Sequence, residues 1–211
     1  MARTDSFEAH AERFDRWFER HDAAYRSELL AVRRLVSRPG LGLEIGVGTG
    51  RFAGPLHVSV GIDPSARMLE RARTRGIRVA RATAEALPFR GAVFDPVLIV
   101  TTICFVDDAR AMLREAGRVL KPDGTLIVGF IDCESRLGRH YAAHRDESPF
   151  YRDAEFYSAA EIAGLLAETG FVAREWVQTL DRPLAQTVDV ERPKPGFGQG
   201  AFVAVRADKI R

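Results

Sequence analysis

The chain has little net charge, few cysteines and no long apolar run. Its 31 Lys and Arg nearly balance 29 Asp and Glu, a formal charge of +2, so no general attraction to nucleic acid or to an anionic membrane is implied. Two cysteines, Cys104 and Cys133, cannot make a disulfide framework. Each lies in or beside an apolar segment, so both are expected as core thiols in a reducing compartment. No stretch approaches a membrane span, and the opening Met-Ala-Arg-Thr-Asp-Ser-Phe-Glu has no apolar leader core. A soluble cytoplasmic protein is the expectation. There is no internal repeat and no low-complexity segment. What is present, 211 residues at 46% hydrophobic and 9% aromatic, can bury one substantial core and is most simply one domain.

The most informative segment is Leu43 to Gly50, Leu-Glu-Ile-Gly-Val-Gly-Thr-Gly. An apolar run ends in three glycines at alternate positions, with Glu44 just ahead of them. Ile62-Asp63 closes a second short apolar run. Glycines at the end of a strand let the backbone turn sharply with positive φ and let a ligand lie against the main chain. Asp63 can accept both hydroxyls of a ribose. The pair suggests a nucleoside-containing cofactor at the carboxyl edge of a parallel sheet. Gly50-Arg51-Phe52 lacks the Gly-Lys-Ser/Thr that a P-loop needs. The spacing Gly46-x-Gly48-x-Gly50 is not the Gly-x-Gly-x-x-Gly of a dinucleotide site. Glu44 would repel a pyrophosphate and suits a ligand with an ammonium group and no phosphate.

Short apolar runs that suit buried strands recur at Leu41–Ile45, Val58–Ile62, Ile77–Ala80, Val97–Thr101 and Leu126–Ile131. Helical segments alternate with them. Ser65 to Arg75 opens on a capping Ser with Met68, Leu69 and Ala72 inward. Asp107 to Leu120 opens on two acids and sets Met112, Leu113, Ala116, Val119 and Leu120 on one stripe. Lys121-Pro122-Asp123-Gly124 is read as its stop and as a turn into the next strand. Ahead of the alternation, Phe7 to Val36 has helical spacing, as one long or two shorter helices ending before Pro39-Gly40. Its aromatic half is either ordinary packing or a lid over a small-molecule site. Residues 1–40 are therefore assigned to a helical cap and 41–211 to the main unit. Cys133 to Arg152 reads as a polar excursion on the ligand side of the sheet. Ser158 to Thr169 is a capped helix closed by Gly170. Phe171 to Leu180 and Gly200 to Val205 are final strands around the loop Asp181 to Gln199. The expected fold is α/β, a Rossmann-like doubly wound, mostly parallel seven-stranded sheet with a reversed final strand.

Five segments follow one another in order: Glu-Ile-Gly-Val-Gly-Thr-Gly, Gly61-Ile62-Asp63-Pro64-Ser65, Ala84-Glu85-Ala86-Leu87-Pro88-Phe89, Phe94-Asp95, and Arg118-Val119-Leu120-Lys121-Pro122-Asp123-Gly124. This series resembles the successive motifs of class I S-adenosylmethionine-dependent methyltransferases, in particular the small single-domain type 11 group. The resemblance is strong over Leu41 to Phe130 and looser in the N-terminal aromatic helix. It implies S-adenosyl-L-methionine as cofactor, S-adenosyl-L-homocysteine as product and a small-molecule methyl acceptor. By the same resemblance, Gly46, Gly48 and Gly50 match the loop under the methionine part, and Glu44 the acid that organises that loop and the amino group. Asp63 matches the ribose acid, Pro64 lies near adenine, Ala84 and Glu85 border its edge, and Leu87 is a wall beside it. Thr101 matches a position whose backbone faces the methionine amino group. Three residues depart from the pattern. Thr83 stands where many relatives carry Asp, Asp123 replaces a turn glycine and is expected to take αL, and Pro96 is expected at a strand start.

Methyl transfer from a sulfonium is an in-line displacement with a neutral leaving group. Alignment and exclusion of water matter most, and a base is needed only if the acceptor must lose a proton. Weak candidates for that base are Asp132, otherwise a loop-start cap, His140, and Tyr25, which with Trp17 and Phe14 could wall an acceptor site. His140 and His144 sit four residues apart, open to a metal, an acceptor-site or a plain surface reading. No second ligand motif accompanies them, so no metal site is expected. His10, His21 and His57 are read as surface or capping residues. The Gly- and Pro-rich stretch within Asp181 to Gln199 either closes over the acceptor or merely connects a hairpin. Rival functions are a non-catalytic cofactor-binding partner, a nucleic-acid methyltransferase and a dinucleotide oxidoreductase. Thr101-Thr102-Ile103-Cys104-Phe105 lacks the Pro-Pro-aromatic motif of base-flipping enzymes.

Overall fold

A computed structural model describes residues 4–36 and 40–210. The Pro39 half of the expected helix stop lies outside these residues. The N-terminal periodicity is two helices, α1 (Asp5–Arg20) and α2 (Asp22–Leu35), with α1 kinked at His10. His21 sits at their junction, where its Nδ1 lies 3.0 Å from the Trp17 carbonyl and its ring stacks on Trp17. The strands are β1 (Leu43–Ile45), β2 (Val60–Asp63), β3 (Arg78–Arg81), β4 (Phe94–Val100), β5 (Leu120–Ile131), β6 (Phe171–Thr179), β7 (Lys194–Pro195) and β8 (Phe202–Lys209). The helices α3 (Ala66–Thr74), α4 (Ala109–Val119), α5 (Arg136–Ala143) and α6 (Ala159–Glu168) complete the set.

The sheet order is β3-β2-β1-β4-β5-β8-β6-β7. β1 to β5 pair in parallel, and β8 runs antiparallel to both β5 and β6. The Rossmann-like reading holds in class. Among the described residues there are eight strands rather than seven, because Lys194–Pro195 in the supposed loop forms a two-residue edge pair with β6. Pro195 cannot donate to a ladder, so it fits only at an edge. The reversed final strand lies inside the sheet between β5 and β6, not at its rim.

Period-2 alternation produces the layers. Val97 and Ile99 of β4 face α4 and α6, whereas Leu98 and Val100 face the side of α2 and α3. Leu126, Val128 and Phe130 likewise oppose Ile127 in β5. α4 buries Met112, Leu113, Ala116 and Val119, with Asp108 accepting from the Ala111 N–H as its N-cap. Ser65 caps α3 through the Met68 N–H, and Ser158 with Glu161 forms a capping box on α6. α2 contributes Ala31, Val32 and Leu35 to the second core layer.

Several local expectations change. Lys121 to Gly124 is not a turn between elements. Leu120 pairs with Phe94 and Thr125 with Pro96, so the stretch between them is looped out beside a register shift. Pro96 occupies that irregularity, where its missing N–H does least harm. Asp123 does not adopt positive φ; among the described residues Thr101, His57, Ala92 and Leu180 are the non-glycine residues that do. Gly124 is required instead, since a Cβ there would lie 2.8 Å from the Asp95 carbonyl oxygen. Asp95 accepts from the Leu41 N–H at 2.9 Å and from Lys121 Nζ at 2.8 Å. Cys104 and Cys133 are half-buried, not core residues. Among the described residues no helix is long and apolar enough to cross a membrane.

One ion cluster fastens α1 to the sheet. Asp15, only 5% exposed, accepts from Thr49 Oγ1 at 2.7 Å, Arg51 Nε at 2.7 Å and Arg75 at 3.0 Å. Burial opposes its charge, but these donors outweigh burial and hold the carboxyl at about 2, below its ordinary 3.8. A carboxyl depressed on folding stabilises fully above its unfolded pKa, and that stability is lost as pH falls toward the folded value. The difference corresponds to about 2 kcal/mol. Asp15→Asn is therefore expected to cost about 2 kcal/mol in urea unfolding at pH 7. The variant should also flatten the stability loss expected of the parent between about pH 4 and pH 2.

Candidate active site

At the carboxyl edge of the parallel strands, β1 ends in a glycine turn with positive φ at Gly46 (70°), Gly48 (50°) and Gly50 (84°). The reasons differ by position. A Cβ on Gly46 would lie 2.3 Å from Thr102 Cγ2, and one on Gly50 would lie 2.4 Å from Ile77 Cδ1. Gly46 and Gly48 line a narrow cavity, while Gly50 lies behind them against α3. Phe14 of α1 lies over Gly48 at 3.8 Å from where its Cβ would sit.

Asp63, at the end of β2, faces that cavity. Its oxygens accept from the Gly48 N–H at 3.0 Å and the Ser65 N–H at 2.9 Å. Burial is the largest influence and pushes the carboxyl up to about 6, with Glu8 of α1 adding like charge. Glu8 itself accepts from Ser65 Oγ at 2.6 Å and so ties the first turns of α1 to the N-terminus of α3. Pro64, Thr83, Ala84 and Glu85 continue the wall. Glu85 also accepts from the Asp107 N–H at 2.9 Å, joining this wall to the start of α4.

Glu44 is buried and does not line the cavity. It accepts from the Ala53 N–H, and its Oε2 has no hydrogen-bond partner. Burial holds its carboxyl well above the usual range. Leu87 is a core residue whose N–H donates to Glu115 Oε2 at 2.8 Å, away from the cavity wall.

Thr101 directly follows β4 with φ 50°, and its N–H donates to the Gly129 carbonyl at 2.7 Å. A non-glycine residue held there is strained and is fixed by its surroundings. Together with Phe14 and Phe105 it belongs to both the narrow cavity and a second, wider one of about 360 Å³. The rings of Phe7, Phe14, Phe105 and Phe150 meet edge-on or tilted at 4.9–5.6 Å across the boundary. Trp17, Phe18, Tyr141 and Tyr151 wall the wide cavity, and Leu180 and Leu184 bring the Pro-rich loop to its edge. That loop is strapped to α2 by the Glu191 N–H donating to Ser27 Oγ at 2.8 Å.

The base candidates separate. Asp132 accepts from the Glu134 N–H at 2.9 Å, shaping the turn into α5, and is not part of the cavity wall. The Tyr25 hydroxyl donates to the Arg51 carbonyl, its ring packs on Phe18 and Phe52, and it too is outside the wall. His140 lines the wide cavity from an exposed position on α5, beside His144 with ring centroids 4.3 Å apart. Among the described residues no group of three or more His, Cys, Asp or Glu side chains converges as a metal site. Sequence reasoning missed Asp15 and Glu28. Both are charged residues on the inward faces of amphipathic helices, which is the signal that marks them.

Residues 43–128 match the family described as "Methyltransferase domain". A solved Thermotoga maritima protein, described as a SAM-dependent methyltransferase, "possible histamine N-methyltransferase", superposes with a TM-score of 0.93. It is 47% identical, over 97% of this chain and 98% of its own. An uncharacterized Methanocaldococcus jannaschii protein is 43% identical over 97% of this chain and 98% of its length. The demethylmenaquinone methyltransferase of Tropheryma whipplei is 37% identical over 59% of this chain and 52% of that enzyme.

The crowding at Gly46 has a measurable consequence. Gly46→Ala is expected to cost about 2–4 kcal/mol in urea unfolding, because the added methyl meets Thr102 at positive φ. Part of that cost should be relieved when Thr102→Ala is added, seen as favourable coupling in a double-mutant cycle.

Proposed function

Because the chain belongs to the S-adenosylmethionine-dependent methyltransferase family, we propose that it binds S-adenosyl-L-methionine in the narrow cavity and methylates a small molecule in the wide one. The observation that carries this is the sharing of Thr101, Phe14 and Phe105 by the two cavities, which gives an in-line transfer one place to occur. The residues fit the cofactor. Asp63 has lone pairs beyond its two backbone donors for the ribose hydroxyls. Gly46 and Gly48 offer bare main chain, and the orphaned Glu44 Oε2 sits behind that loop as its acidic support. Pro64, Ala84 and Glu85 border the adenine, and Gly50 supports the turn from behind.

The bound cofactor supplies an electrophilic methyl on a sulfonium, which departs as a neutral thioether. The chain aligns and shields it. Thr101 presents its backbone at the boundary, and the Phe7, Phe14, Phe105 and Phe150 rings exclude water from it. The enclosed aromatic cavity supports a small acceptor over a nucleic acid. A soluble cytoplasmic location agrees with this reading, as does the assignment of residues 1–40 as a cap whose α1 covers the cofactor.

S-adenosylmethionine or S-adenosylhomocysteine at about 100 times Kd should raise Tm by about 5–10 °C, whereas NAD should not. Asp63→Ala should abolish the shift; a variant that keeps it would show that the ribose is held elsewhere. Since the Asp63 carboxyl titrates at about 6 and must be ionised to accept both hydroxyls, affinity should fall as pH drops below 6. The limiting slope is about tenfold per pH unit, read by calorimetric titration.

A further inference from the structure

Glu28 of α2 stands apart from the other buried acids. It is 4% exposed, yet it lines the wide cavity. Asp15, Glu44 and Asp63 each accept at least one backbone or side-chain donor. Among the described residues none donates to the Glu28 carboxyl, and burial alone pushes it up to about 8. Its neighbour Ser27 is fully used, donating to the Ala23 carbonyl and accepting from the Glu191 N–H. A desolvated carboxyl without a partner is destabilising unless something that enters the cavity supplies one.

The surroundings state what that something is. The charged or titratable side chains at the exposed side of the cavity are Arg13 and Arg20 of α1, His140 of α5, and His144 and Glu147 just after it. None lies within ion-pair reach of Glu28. Inside, the walls are aromatic, with Tyr141 and Tyr151 stacked at 4.9 Å and Trp17 and Phe18 opposite. An aromatic enclosure with a single buried acid favours a compact cation, which gains both the charge and the ring faces. An anion would meet the acid with nothing buried to offset it.

We propose that the methyl acceptor carries a cationic nitrogen, an amine or protonated heterocycle, and that Glu28 is the specificity-determining residue that anchors it. This rests on the reading of the wide cavity as the acceptor site. In the empty cavity Glu28 is neutral at pH 7. An incoming ammonium ion supplies the missing partner, and the carboxyl ionises to meet it. Binding at pH 7 therefore releases a proton, and release fades as pH rises through about 8.

The test compares three probes that share a 4-ethylphenol frame and differ in terminal charge, on the full chain, with and without S-adenosylhomocysteine: tyramine, 4-ethylphenol and 3-(4-hydroxyphenyl)propionate. Calorimetry in buffers of different ionisation heat reads both affinity and protons. Tyramine should bind at least about tenfold more tightly than either analogue, releasing close to one proton at pH 7. Glu28→Gln, isosteric with the neutral carboxyl, should lose both the preference and the release. Glu28→Asp should keep part of the preference.

Tightest binding of the phenol or the acid, no binding of any probe while S-adenosylhomocysteine binds, or a Glu28→Gln chain that still prefers the amine would each overturn the proposal. If Glu28→Gln does not fold, the proton count in the parent decides. Absence of S-adenosylhomocysteine binding alongside intact amine selectivity would instead remove the methyltransferase reading and leave the anchor standing.

Discussion

Close approach of main chain to neighbouring atoms at the carboxyl edge of β1 governs the rest of the molecule. Gly46 abuts Thr102, Gly50 abuts Ile77, and a Cβ on Gly61 would lie 2.6 Å from Val47. These contacts draw β1, β2, α3 and the end of β4 together more tightly than side chains would allow. Asp63, Thr83 and Thr101 reach one small volume because of that compression. The positive φ of the glycines is thus as much a packing requirement as a ligand-binding one.

Four of the buried carboxyl groups show how environment divides one chemistry into separate tasks. Asp15 is surrounded by arginines and stays charged, so it serves as a fastener for α1. Asp63 has two backbone donors and titrates near the middle of the range. Glu44 is half-satisfied behind the loop, and burial raises its carboxyl well above the usual range. Glu28 has no donor and faces open volume. Burial pushes all four upward, and donors and neighbouring charges set how far each one departs from its ordinary value. α1 connects these tasks, because Glu8, Phe14 and Asp15 fix the same helix to α3, to the glycine turn and to the boundary between the cavities.

Much of this was legible in local sequence. Ser65, Asp108 and Ser158 cap helices through bonds that span three residues, so the chain itself reveals them. The unbroken apolar run Leu126–Ile131 marked a strand packed on both faces. The looped-out Lys121 to Gly124 was not readable, because its shape is set by pairing with Phe94 and Pro96 on another strand. The same holds for the edge pair at Pro195, which depends on where β6 ends. Asp132 and Tyr25 looked chemically apt but spend their polar atoms on the Glu134 N–H and the Arg51 carbonyl.

By itself the sequence determined the α/β alternation, the glycine turn and the acid at the end of β2, since each depends on backbone preferences and spacings within a few residues. Only the tertiary structure decided that β8 inserts between β5 and β6, that Asp15 gathers Thr49, Arg51 and Arg75, and that Glu28 meets a cavity without a partner. Those outcomes depend on desolvation and on contacts between residues far apart in the chain, and neither quantity has a value until the chain has folded.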